Sequence, residues 1–199
     1  MYGSIVEACR KCGALTSHGV APDSCGECEG AQFDSAVAAG VYERALAAEV
    51  WRLKKEPYLS ARARNALDSV LQKFSIDRSA LLIPVPQSRK RDLERGFNQA
   101  EVIAEHVAKR MRVRVARGVL VRTSHTPMHR VAMDRKARAV TVENAFEVKI
   151  PRLVNGRNIV LIDDVLTSGS TASSCAQVLK KNGAERVNVI TLARAVMRD

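Results

Sequence analysis

Residues 159–171 read Ile-Val-Leu-Ile-Asp-Asp-Val-Leu-Thr-Ser-Gly-Ser-Thr. The four leading apolar residues suit a strand covered on both faces, as in a parallel sheet. Asp163 and Asp164 then stand at its carboxyl end, where such sheets bind ligands. Thr167, Ser168, Gly169, Ser170 and Thr171 follow with small side chains, so backbone N–H groups and hydroxyls can close around one phosphate at the start of the next helix. That helix is predicted by Ala172, Cys175, Ala176 and Leu179 at i, i+3, i+4 and i+7, with Thr171 capping its start and Gly183 ending it in a left-handed conformation. Neither the GxxxxGK[ST] nor the GxGxxG spacing occurs. Two neighbouring carboxylates before the loop can accept hydrogen bonds from vicinal hydroxyls, so the segment reads as a cradle for a ribose 5-phosphate. The plainer alternative is a solvated strand end and turn.

A second motif lies near the N-terminus. Cys9-x-x-Cys12 is followed after a short loop by Cys25-x-x-Cys28, with Gly13 and Gly26 where knuckle turns need them. Two such pairs have the ligand spacing of a closed, four-thiolate structural Zn2+ site, and a loop this small carries too little apolar material to fold unaided. The rival is a pair of disulfides. It is disfavoured because the N-terminus lacks the apolar stretch of a secretory signal. His18, between the pairs, is not needed by a complete four-cysteine site. Cys175 falls on the apolar stripe of the helix after the phosphate loop and reads as core packing.

The 199 residues are 46% hydrophobic, with no apolar run long enough to cross a bilayer, so a cytoplasmic protein without membrane insertion is expected. Residues 1–35 form one expected unit, a zinc-ribbon-like module, and residues 36–199 a second, larger α/β domain. The net charge is +11, and the basic excess is concentrated in residues 84–138. Such a field attracts phosphorylated metabolites or a nucleic-acid backbone; a well-solvated basic surface is the ordinary alternative. Only 4% of residues are aromatic, so any single-stranded DNA would be held mainly by charge and released by salt.

Between the motifs, helix and strand patterns alternate. Leu46, Val50 and Leu53 predict a helix ending before Pro57, and Ala63, Leu67, Val70, Leu71 and Phe74 predict another. Residues 80–85 read as a strand; Ile103, Ala104, Val107 and Met111 mark a third helix; residues 113–121 hold one or two strands; residues 187–193 supply a late strand. This alternation predicts a parallel sheet flanked by helices. Asn98 and Glu101 have the spacing of a reciprocal helix cap.

The segment of residues 159–171 resembles the PRPP-binding motif of type I phosphoribosyltransferases. Ile83-Pro84-Val85-Pro86, the basic Arg89-Lys90-Arg91, Arg95-Gly96-Phe97-Asn98-Gln99, the cysteine knuckles, Leu53-Lys54 and the late Thr191-Leu192-Ala193-Arg194 extend the likeness over nearly the whole chain. Together they resemble the ComF family, whose branches include ComFC, associated with natural transformation, and GntX.

The resemblance implies a type I phosphoribosyltransferase fold behind a small zinc module. It also implies transfer of phosphoribose from PRPP to an unidentified acceptor, with pyrophosphate released and Mg2+ accompanying PRPP. Asp163 and Asp164 would hold the ribose as catalytic residues, and residues 167–171 the 5′-phosphate. Pro86, Arg89, Arg95 and Asn98 would face pyrophosphate, arginine's forked donors being suited to phosphate oxygens. The implied partners are PRPP, single-stranded DNA on the basic surface and the DNA-uptake machinery. The alternative is a non-catalytic competence factor that binds PRPP or nucleic acid. The sequence departs from its relatives where Arg130 and Thr141 replace two expected amides, although Met133 and Arg138 match. His125-Thr126-Pro127 would begin a hood over the site, with His125 and His129 as candidate bases or ordinary exposed histidines.

Overall fold

A computed structural model gives the fold and describes residues 7–16, 23–74, 76–123 and 145–195. Five parallel strands form the central sheet in the order β3-β9-β8-β4-β5, namely β3 (Ser35–Ala38), β9 (Arg186–Arg194), β8 (Asn158–Leu166), β4 (Leu81–Pro84) and β5 (Arg114–Val115). The chain leaves β4 through two helices toward β5 on one side, and leaves β8 through a third toward β9 on the other. The connections therefore diverge between β4 and β8, and a crevice opens beyond the carboxyl ends of that pair.

Alternation along β8 divides the core. Ile159 and Leu161 point into one apolar cluster with Ala172, Cys175, Ala176 and Leu179 of α5 (Ser170–Lys181). Val160 and Ile162 point into the other, covered by α1 (Arg44–Leu53), α2 (Ala61–Leu71) and α4 (Gln99–Met111). Ile159, Leu161 and Ile162 are fully buried, as a strand sandwiched between helices requires. Cys175 is fully buried as well, and burial pushes its thiol well above the ordinary range, which makes it an unreactive packing residue.

The N-terminal cysteine segment packs onto the first of these clusters. A short antiparallel hairpin, β1 (Glu7–Ala8) with β2 (Leu15–Thr16), and a 3-10 turn at Gly26–Cys28 carry the two cysteine pairs. Cys9, Cys12 and Cys28 are buried in the same cluster as Phe33, Ala36 and Ala172.

Several local features differ from the sequence expectation. β8 runs through both acids to Leu166, because β9 continues to pair beside it as far as Arg194. Gly169, at φ +72°, is the N-cap of α5, and Thr171 lies inside the helix; the left-handed turn was available to the glycine at least cost. Asn98 caps α4 through the Ala100 N–H at 2.9 Å, but Glu101 pairs with Arg117 instead of closing a reciprocal cap. The region of residues 113–121 does hold two strands, as expected, but only β5 joins the main sheet, while β6 (Leu120–Arg122) pairs antiparallel with β7 (Phe146–Val148). The short helix α3 (Arg89–Arg95) and the edge strand β3 had no clear apolar period. His18, His125, Thr126, Pro127, His129, Arg130, Met133, Arg138 and Thr141 lie outside the described residues. Among the described residues, no helix is long and apolar enough to cross a membrane.

Candidate functional site

A cavity of about 460 Å3 fills the crevice between β4 and β8, within the size range of small-molecule sites. It exists because β4 stops early. Val85 N–H still donates to the Ile162 carbonyl at 2.8 Å, after which the chain turns through Pro86 and Gln87 while β8 continues past it. The side chains at the tip of β8 therefore border open space.

Asp163 and Asp164 line this cavity. Asp163 Oδ1 accepts from the Asp164 N–H at 2.9 Å, and Asp164 Oδ1 accepts from the Val165 N–H at 2.7 Å. Each carboxylate is thus tethered through one oxygen. Burial, and secondly the charge of Asp164, pushes the Asp163 carboxyl up to about 8, with Arg91 pulling weakly the other way. Such an acid pair is poised to gain from a ligand that brings hydroxyl donors or positive charge.

Beyond the acids the chain forms the loop of residues 167–171. Thr167 and Thr171 face the cavity. The Ser168 hydroxyl donates to the Ser170 hydroxyl at 3.1 Å, and Ser173 N–H donates to the Gly169 carbonyl at 2.8 Å as α5 begins. The Phe33 ring would lie 3.4 Å from a side-chain carbon at Gly169, so this loop rests on the cysteine segment. A helix N-terminus with hydroxyls around it is suited to an anion.

Cations line the cavity as well. Lys54, Arg91, Arg95 and Arg122 all line the cavity, against two acids. Arg95 donates to Gln99 Oε1 at 2.8 Å, and Asn98 Nδ2 donates to the Val85 carbonyl at 3.0 Å, fixing α4 against the loop after β4. Arg122 comes from β6 and stacks over Phe146, 5.5 Å from the ring centroid. Gln87 Oε1 and Gln99 Nε2 are buried without a hydrogen-bond partner among the described residues. Both side chains line the cavity, so these atoms can serve a bound ligand or water.

The structure brings most of the sequence-selected residues together: Asp163, Asp164, Thr167, Thr171, Pro86, Arg95 and Asn98 share one cavity. Ser168, Gly169 and Ser170 lie in the adjoining loop without lining it. Arg89 does not line it either. It opens α3 as an exposed residue, and Arg91, two positions on, faces the cavity instead. Sequence reasoning missed Arg91, Gln87 and Arg122. The first two would have needed the phase of α3 and the path of the preceding loop, and Arg122 the pairing of β6 with β7.

The four cysteines meet in a second constellation. Their sulfurs all lie within 4.8 Å of one another, positioned to hold a metal ion. Cys9 to Cys28 is 3.8 Å, Cys12 to Cys25 is 3.6 Å and Cys25 to Cys28 is 3.8 Å, with all four thiols free of disulfides.

A doubly wound sheet with an acid pair and an anion-type loop at its divergence point defines a class of α/β proteins that bind phosphorylated sugars and nucleotides. Residues 98–197 match the phosphoribosyl transferase domain family. The DNA utilization protein YhgH of Escherichia coli O6:H1 is 30% identical over 196 residues, covering 94% of this chain and 84% of that protein. Competence protein F of Haemophilus influenzae is 32% identical over 115 residues, 57% of this chain and 50% of the relative. Competence protein ComFC of Bacillus subtilis is 32% identical over 137 residues, 66% of this chain and 52% of the relative. The chain belongs to the phosphoribosyl transferase domain family, in its ComF group.

Proposed function

We propose that the cavity binds PRPP with Mg2+ and that the protein transfers phosphoribose to an acceptor, releasing pyrophosphate. The observation that carries this reading is that Asp163 and Asp164 share one cavity with Thr167 and Thr171 of the phosphate-type loop and with the cations Lys54, Arg91, Arg95 and Arg122. The 5′-phosphate would occupy the loop of residues 167–171 and the ribose diol would donate to the two carboxylates. Pyrophosphate would lie toward Pro86, Asn98, Arg91 and Arg95. A nucleophile of the acceptor forms the new bond at C1 as the C1–oxygen bond breaks and pyrophosphate leaves with the electron pair. Positive charge develops on the ribose in that transition state, and fixed carboxylates stabilise it. Bound Mg2+ would supply further neutralisation of the pyrophosphate oxygens.

Calorimetric titration of PRPP with Mg2+ tests the reading. Saturable heat in wild type that disappears in the doubly neutralised Asp163→Asn, Asp164→Asn variant is expected. Absence of heat from wild type overturns it.

For the cysteine cluster the metal best supported is zinc. A tetrahedral ion with Zn–S bonds of about 2.3 Å separates its sulfurs by about 3.8 Å, and three of the pairs stand at 3.6–3.8 Å. Burial pushes the Cys12 and Cys28 thiols up, so their thiolates need a cation beside them. Residues 1–35 are then a structural zinc module serving the phosphoribosyltransferase domain of residues 36–199. A four-thiolate site without disulfides suits a reducing compartment such as the cytoplasm.

A second reading, a competence factor that contacts single-stranded DNA as part of DNA uptake, is favoured by one surface feature. Trp51 and Tyr58 are 60% and 50% exposed beside the cavity residue Lys54. Lys54 lies 4.7 Å from the Trp51 ring centroid and Arg52 lies 5.0 Å from that of Tyr58. Exposed rings with attached cations can stack bases and meet phosphates. DNA binding that survives the double acid substitution, and falls with Trp51→Ala and with salt, would support this reading; loss of DNA binding in the acid variant would count against it.

A further inference from the structure

Arg194 ends β9 at the junction between the cysteine cluster and the phosphate-type loop, and it is only 4% exposed. Its guanidinium reaches three places. One terminal nitrogen donates to the Thr167 carbonyl at 3.1 Å, at the first residue of that loop. The other lies 3.8 Å from the Cys12 sulfur and donates to the Glu27 carboxylate, which sits between Cys25 and Cys28. Its backbone is held too, by Arg194 N–H to the Gly40 carbonyl at 2.8 Å and Tyr42 N–H to the Arg194 carbonyl at 2.6 Å. A second link runs parallel, from Gln32 N–H to the Ser173 hydroxyl at 3.0 Å. Arg194 itself lies outside the cavity lining, as does Glu27.

A buried guanidinium costs several kcal/mol of lost hydration unless its donors are used. Here the two terminal nitrogens are spent on joining two sites, while Nε is buried without a hydrogen-bond partner among the described residues; the planar fork fixes the angle between the two links in a way a lysine ammonium cannot. Groups that hydrogen-bond to the ligands of a metal set their orientation and their charge. Electron density on a thiolate at Cys12 would hold the same guanidinium that fixes the Thr167 carbonyl.

We infer that Arg194 is a positioning residue that couples the four-cysteine metal site to the phosphate-type loop, so that metal loading sets the affinity for PRPP. The inference rests on the PRPP reading of the cavity. Coupling between two binding sites is reciprocal, so PRPP must also tighten the hold on the metal. Loss or oxidation of the cysteine centre would then release the phosphate loop without any change in the acids.

The test uses the zinc-loaded full chain and times zinc release to a chromophoric chelator with and without saturating PRPP and Mg2+. PRPP is expected to slow release several-fold in wild type. Arg194→Lys keeps the charge but loses the fork, and should bind PRPP at least tenfold more weakly and release zinc at one rate with or without it. Glu27→Gln provides a milder variant, since this half-exposed side chain touches no part of the cavity. Its PRPP affinity should fall several-fold through Arg194 alone, while its thermal transition remains cooperative. Wild-type PRPP affinity in both variants, or a wild-type release rate indifferent to PRPP, overturns the coupling while leaving the PRPP reading intact. Failure of wild type to bind PRPP at all overturns both.

Discussion

At the residue scale, the raised Asp163 carboxyl makes a prediction about the ligand-free protein. The native side chain keeps its proton up to about pH 8, whereas the ordinary carboxyl releases it near 3.8. The native state therefore binds more protons between these values, and stability falls as pH rises from about 4 through 8. Asp163→Asn removes that penalty. It should raise the ligand-free melting temperature at pH 8 by the equivalent of about 1 kcal/mol or more, with the difference shrinking toward pH 4, as measured by thermal melts across the range. PRPP affinity should move the opposite way in wild type, rising with pH as the ionised acid accepts the ribose hydroxyls. Arg91 and Arg89 give a second contrast. Arg91→Ala should weaken PRPP binding about tenfold, and Arg89→Ala should leave it unchanged, because only Arg91 faces the cavity.

At the scale of elements, the start of α5 depends on one backbone conformation. Gly169 holds φ +72° with the Phe33 ring against it. Gly169→Ala should cost about 1 kcal/mol in denaturant unfolding and reduce PRPP affinity, since the loop cannot keep its path. Asn98→Ala should cost about 1–2 kcal/mol; it removes the cap of α4 and the bond to the Val85 carbonyl that holds the loop after β4. The elements that sequence revealed best were those with a clean apolar period and a complete motif. Ile159 to Ile162 in β8, and Ala172 through Leu179 in α5, had no competing pattern. The acids and the small-residue loop were legible because their chemistry is local and contiguous. Of the cations lining the cavity only Arg95 was legible, because Lys54, Arg91 and Arg122 come from three separate elements and meet only through the tertiary fold. α3 was hidden for another reason: none of its residues is buried, so no apolar stripe marked it. The exact end of β8 depended on β9, a partner strand whose register cannot be read from β8 alone.

At the scale of the whole molecule, the cysteine segment is part of the main core. Cys9, Cys12 and Cys28 are each 2% exposed and pack with Phe33 against the face that carries α5. Metal removal should therefore destabilise the entire fold. Excess chelator at neutral pH is expected to lower the melting temperature by about 10 °C, the shift that corresponds to roughly 3 kcal/mol in a chain of this size, as followed by circular dichroism. A second melting step confined to the N-terminal segment would instead show that it unfolds on its own.

The strand order carries a consequence for biosynthesis. β9 lies between β3 and β8, although it follows both in the chain. On a ribosome, the early strand and its cysteine hairpin emerge long before their neighbour exists, and β8 waits with a bare hydrogen-bonding edge. The sheet is completed from the middle by the segment translated after all its other strands. Arg194 arrives with that segment, so in a nascent chain the crevice beyond β8 and the bridge to the cysteine cluster are completed in the same closing event.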